Sequence, residues 1–142
     1  MANGLYDKGR EGFLGGDIDW DGNKIRAILV DTGAYTVDKV NHQFLSDIPA
    51  IARIATSPPL TGKTIAAGVA DADDTVVALV TGTSVEAVAI VKAAVNDAAG
   101  DDAAGVQRLI AWLDTGLGLP FSPNGGDVNI KWPNDATRIF KL

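Results

Sequence analysis

The residues able to do chemistry are few and scattered. Asp17, Asp19 and Asp21 precede Gly22 in the run DIDWDG, which matches the opening of a calcium loop. In such loops, alternate carboxylates converge on the ion and a glycine allows the sharp bend. The match then breaks, because the twelfth position needs a bidentate glutamate and holds Ile28. A polar turn is the stronger reading, with Asp17, Asp19 and Asp21 kept as candidate metal ligands. His42 is the single histidine, so a serine hydrolase would have to pair it with Ser46, Ser57, Ser84 or Ser122. No nucleophile-elbow pattern surrounds any of these serines. The run Gly62-Lys63-Thr64 lacks the upstream glycine of a phosphate-cradling loop, since Ser57 occupies that position before two prolines. Asp73/Asp74 and Asp101/Asp102 lie among small residues that offer no apolar pocket to raise a carboxyl pKa. Trp20, Trp112 and Trp132 could form a flat sugar platform, but their strand-like settings favour core packing. No catalytic residue, cofactor or enzymatic activity is expected.

Composition narrows the classes further. The chain has 142 residues, 46% of them hydrophobic and 21% charged, which fits one folded domain. Its net charge is −6, and its 12 basic residues are dispersed among 18 acidic ones. Nucleic-acid binding needs clustered lysine and arginine to displace counterions, so direct binding is not expected. With no cysteine, disulfides, thiolate catalysis and cysteine-held metals are excluded. The first sixteen residues lack the apolar centre of a signal peptide, and no run reaches the roughly 20 apolar residues of a membrane span.

The elements that must position these residues read as mainly β. Val128, Ile130 and Trp132 alternate with Asp127, Asn129 and Lys131, the period of a half-buried strand. Residues 106–113 form a more apolar run, and prolines and glycines lie between the two. The pair is expected to be neighbouring antiparallel strands, with Trp132 buried beside Val128 and Ile130. Residues 18–31 read as a hairpin turning at Gly22. Residues 42–56 read as a short helix, with Pro49 near its start. Residues 63–68, 75–81, 86–92 and 137–142 read as strands, and residues 93–105 as an acidic loop; helix is the competing reading for the alanine-rich residues 85–99, with the Val/Ile alternation of their first half favouring strand. The expected fold is an antiparallel β-sandwich or barrel with one short helix. Residues 17–142 would be a single β-rich domain, preceded by residues 1–16 as an N-terminal arm or short helix. Glycines in that segment weaken the helix reading. As an arm, it would offer Leu5, Tyr6, Phe13 and Leu14 to a partner. Its deletion would then leave a folded domain unable to bind. The alternative is that these side chains pack on the protein's own sheet.

Three stretches carry a resemblance: LYDKGREGFLGGDIDW, HQFLSDIP and GLPFSPNGGDVNIKWPNDATRIFKL, together with YTVD at residues 35–38. Over nearly the whole chain they resemble a family of small virion structural proteins of tailed bacteriophages. The resemblance implies a particle component, assembled in the bacterial cytoplasm, and no catalytic residues. The role it favours is a decoration, or cement, protein on the outer capsid surface. Its partners would be the major capsid protein and copies of itself, with a trimer the natural guess at threefold lattice positions. A tail-associated structural protein and a virion-surface carbohydrate-binding module are the alternatives.

Overall fold

A computed structural model describes residues 3–93 and 103–142. Residues 94–102, most of the expected acidic loop with Asp101 and Asp102, lie outside the described residues. Among the described residues the fold is mainly β, in antiparallel sheets with a single α-helix and no closed barrel.

A five-stranded sheet forms the middle of the molecule. It contains β1 (Gly4–Leu5), β2 (Ile25–Val30), β3 (Arg53–Thr56), β7 (Ala87–Lys92) and β8 (Arg108–Leu113), in the order β1-β8-β7-β2-β3. The three central strands are buried along nearly their whole length. Sheets covered on both faces read as near-continuous apolar runs instead of alternating patterns, which accounts for AILV and AVAIV. On one face, Ile25, Leu29, Val88, Ile90 and Ile110 join the larger core cluster. On the other, Ile28, Val30, Ala89, Leu109 and Trp112 join a second cluster with Tyr6, Tyr35, Leu45 and Ile48.

The larger cluster is closed by two small sheets, giving sandwich-like packing. One has the order β10-β5-β4, from β4 (Thr64–Ala66), β5 (Val69–Asp71) and β10 (Phe140–Lys141). The other pairs β6 (Thr75–Val77) with β9 (Val128–Ile130). Ala70, Val77, Ile130, Trp20, Trp132 and Phe140 line its inner side.

Several expectations need correction. Residues 106–113 and 127–132 are not neighbours: β8 lies between β1 and β7, and β9 pairs with β6. Alternation fixes which face of a strand is buried but does not name its partner. Three successive positive-φ residues, Gly116, Leu117 and Gly118, turn the chain away, and Phe121 bridges to Val85. Trp132 and Ile130 are buried as expected, and Val128 partly so. Residues 18–31 contain no hairpin. A turn in which Asn23 Oδ1 accepts from the Asp19 amide (2.7 Å) precedes β2, whose partners are β3 and β7. Residues 42–56 hold two 3-10 turns, Leu45–Asp47 and Ala50–Ala52, followed by β3. The Asp47 carboxylate accepts from the Gln43 and Phe44 amides, which tightens the first turn, and Pro49 has no N–H to continue it. Ile51, which a helix there would align with Phe44, Leu45, Ile48 and Ile54 on one apolar face, is 78% exposed.

The α-helix is α1 (Asp7–Leu14), within the segment read as an arm or short helix. Lys8–Glu11 and Arg10–Asp7 pairs lie on its exposed side. Gly9 and Gly12 face inward, toward β8 and Ile18. A Cβ at Gly9 would stand 2.7 Å from the Ile110 carbonyl oxygen and 2.9 Å from that of Leu109. Glycine therefore lets the helix backbone lie directly on the strand backbone. Arg108 clamps the pair by donating to the Lys8 carbonyl (2.7 Å) and meeting Asp17 (3.3 Å).

Candidate functional site

The N-terminal candidates are largely spent inside the fold. Leu5 and Tyr6 are buried, Leu5 in the larger cluster and Tyr6 in the second. The Phe13 ring lies 5.8 Å from that of Phe140. Only Leu14, 90% exposed at the end of α1, stands free for a partner. Gly4 and Leu5 pair with Trp112 and Ala111, so this segment is an edge strand of the main sheet.

The three aspartates do not converge. Asp17 meets Arg108, and the Asp19 carboxylate accepts from the Gly22 amide (3.3 Å). No group of three His, Cys, Asp or Glu among the described residues could hold a metal ion. Stripping divalent ions with a chelator is expected to leave the melting temperature unchanged. A fall that calcium reverses would restore the metal reading, since an ion bound only by the folded state stabilises it.

His42 is likewise committed to structure. Its Nδ1 lies 2.7 Å from the Tyr35 hydroxyl, which lies 3.1 Å from that of Tyr6. Ser57 is buried, donating to the Pro58 carbonyl (2.7 Å) and accepting from the Ala27 amide (2.8 Å). Asp74 accepts from the Trp132 amide (3.0 Å), and the Asp73 carbonyl accepts from the Trp132 indole (3.0 Å). Trp20 donates to the Asp71 carbonyl and Trp112 to the Asp114 carboxylate. All three tryptophans and both tyrosines are buried, so none forms an exposed stacking platform.

The buried tyrosines carry a pH dependence. Burial, aided by Tyr35, pushes the Tyr6 hydroxyl well above its ordinary value of 10.0. Burial also raises Tyr35. The folded state holds these protons after the unfolded chain releases them. The contribution is therefore fully present below pH 10.0 and is lost as pH rises through the window above it. The melting temperature is expected to fall more steeply there in the native protein than in Tyr6→Phe. Parallel alkaline limbs would refute this.

A feature without a reactive signature lies across the molecule. Phe13, Trp20, Ile65, Val69, Phe140 and Leu142 line part of an apolar groove of about 310 Å³. Ile65 and Leu142 are 57% and 59% exposed. The groove borders β4, an edge strand whose three residues are all exposed. A sequence signal existed: residues 64–70, TIAAGVA, carry no charge. No protein-family model matches the chain, and comparison with curated proteins found no match.

Proposed function

We propose that the protein is a non-enzymatic structural component of a tailed-phage virion, most specifically a decoration protein on the outer capsid surface. The observation that carries this reading is the resemblance of the three stretches in residues 5–20, 42–49 and 118–142. Those stretches supply joints of the fold. Gly9 and Gly12 seat the helix, Ile48 and Trp20 fill the two cores, and Ile130, Trp132 and Phe140 close the second layer.

The chemistry of the described residues supports the same reading. His42, Ser57 and the Asp73/Asp74 pair serve as local structural bonds, with no nucleophile-base pair among them. The burial of the tryptophans and tyrosines leaves none of them as the exposed platform a carbohydrate-binding module would need. The major capsid protein is the proposed partner, and self-association would let several weak footprints act together, because later contacts become intramolecular. The test is the density of an intact particle by cryo-electron microscopy. Many copies on the head's outer face are expected. Density confined to the tail would replace decoration with a tail role, and absence from the particle would end the virion reading.

A further inference from the structure

We infer that the free edge of β4 is a self-pairing surface, joining two copies of this chain across a two-fold axis into one continuous six-stranded sheet. This deepens the self-association in the proposed function, but its grounds are independent of the virion. The Ala70 carbonyl accepts from the Ile139 amide on the β10 side (3.1 Å). In an antiparallel ladder, a residue's N–H and C=O point to the same side. Ala70 is opposite Ile65, so the Ile65 amide and carbonyl point away from β5, and the same alternation carried one residue beyond β4 would turn those of Lys63 outward. Among the described residues, no strand pairs with that edge.

An open edge is a template for another strand, and proteins usually blunt it with charge, proline or a bulge. Here Thr64, Ile65 and Ala66 carry no charge, in a protein whose net charge is −6. The occupant is a second copy because the edge complements itself. Antiparallel pairing with Ile65 opposite Lys63 of the other copy forms hydrogen bonds on both sides of the axis. It places Thr64 opposite Thr64 and opposes no like charges. The Lys63 ammonium is already held by the Asn23 carbonyl, so its apolar stem is left beside the incoming Ile65. Ile65 and Leu142, the exposed lips of the groove, would gain cover from the same approach. A stable interface typically buries about 800 Å² per partner. Three residues of edge and two lips fall short of that, so the pairing belongs among weak associations, strengthened when copies are held close together. A closed two-fold contact uses up both edges and stops at a dimer, in place of the trimer expected from lattice geometry.

The absence of cysteine from the chain permits a direct test. In a non-hydrogen-bonded antiparallel pair the two Cβ atoms lie about 4.5–5.5 Å apart, close to disulfide geometry. With oxidised glutathione, Thr64→Cys should form a covalent dimer at least tenfold faster than Ile51→Cys, whose site is also exposed but lies outside β4. Sedimentation of the native protein should show a concentration-dependent dimer. Thr64→Lys, which opposes two cations across the axis, should weaken it at least tenfold while keeping the native melting curve. Equal linking rates, a native protein monomeric up to millimolar concentration, a trimer, or undiminished pairing of Thr64→Lys would each overturn the proposal. Failure here leaves the virion reading standing, because particle location is read separately. A dimer absent from particles would overturn only the virion reading.

Discussion

A chain lacking residues 2–16 is expected to lose cooperative folding. The deletion removes β1, whose Gly4 and Leu5 pair with Trp112 and Ala111, and the Tyr6 amide that donates to the Ile110 carbonyl (2.9 Å). It also removes the buried side chains of Leu5 and Tyr6 and the helix that covers β8. Burying one large apolar side chain is worth about 1.5–3 kcal/mol. Two of these, together with the newly exposed surface of β8, approach the whole stability of a typical domain, about 5–15 kcal/mol. Calorimetry should show a broad transition or none, and the amide proton spectrum should lose dispersion. A sharp transition within a few degrees of the full chain would show that the segment is an accessory after all. The expectation of a folded domain that merely fails to bind is thus replaced: loss of partner binding by the truncated chain would report unfolding, not a missing arm.

Gly9→Ala is expected to destabilise the protein, although alanine is the better helix former. Exchanging an interior helical glycine for alanine gains about 0.8–1 kcal/mol in intrinsic propensity. Against this stands a methyl group 2.7 Å from the Ile110 carbonyl oxygen and 3.0 Å from its Cα. These are backbone atoms of β8, which is paired on both sides and cannot step back alone. Overpacking of this kind costs about 1–3 kcal/mol, and the rigidity of the strand places it at the upper end. A net loss of about 1–2 kcal/mol should lower the melting temperature by roughly 3–8 °C. Gly12→Ala provides the internal comparison. Its nearest neighbour is the tip of the Ile18 side chain at 2.5 Å, which can rotate aside, so its effect should be smaller. A rise in stability for Gly9→Ala, or a larger loss at Gly12, would contradict the close-packed helix.

These glycines show what could be read from the sequence. Gly9 and Gly12 counted against a helix because propensity considers the helix alone. Their use becomes visible only once β8, about a hundred residues later, lies beneath them. The strands legible in advance were those with a strong local signal, such as Ala87–Lys92 and the alternation ending in Trp132. Their partners were not legible, because alternation is blind to what lies across the sheet. The helix expected near Pro49 failed for a local reason, the Asp47 carboxylate folding back onto the Gln43 and Phe44 amides. The weak metal and hydrolase signals read as structural from motif spacing, and Asp17, Asp19, His42 and Ser57 each sit in a structural bond. The β4 edge escaped notice because its signal is a lack of charge across residues 64–70, and it matters only when the other edge of that strand is known to be empty.

The joining of the two distant parts of the main sheet also sets a timetable. Asn3 accepts hydrogen bonds from the Asp114 and Thr115 amides, and it is 111 residues from Asp114. A ribosome adds about 5–20 residues per second, so the first strand waits on the order of 5–20 seconds for its partner to be made. During that interval Leu5, Tyr6 and Phe13 have no sheet to cover them. In a cell producing many copies at once, the risk of clumping is therefore greatest on the ribosome, before the last third of each chain has emerged.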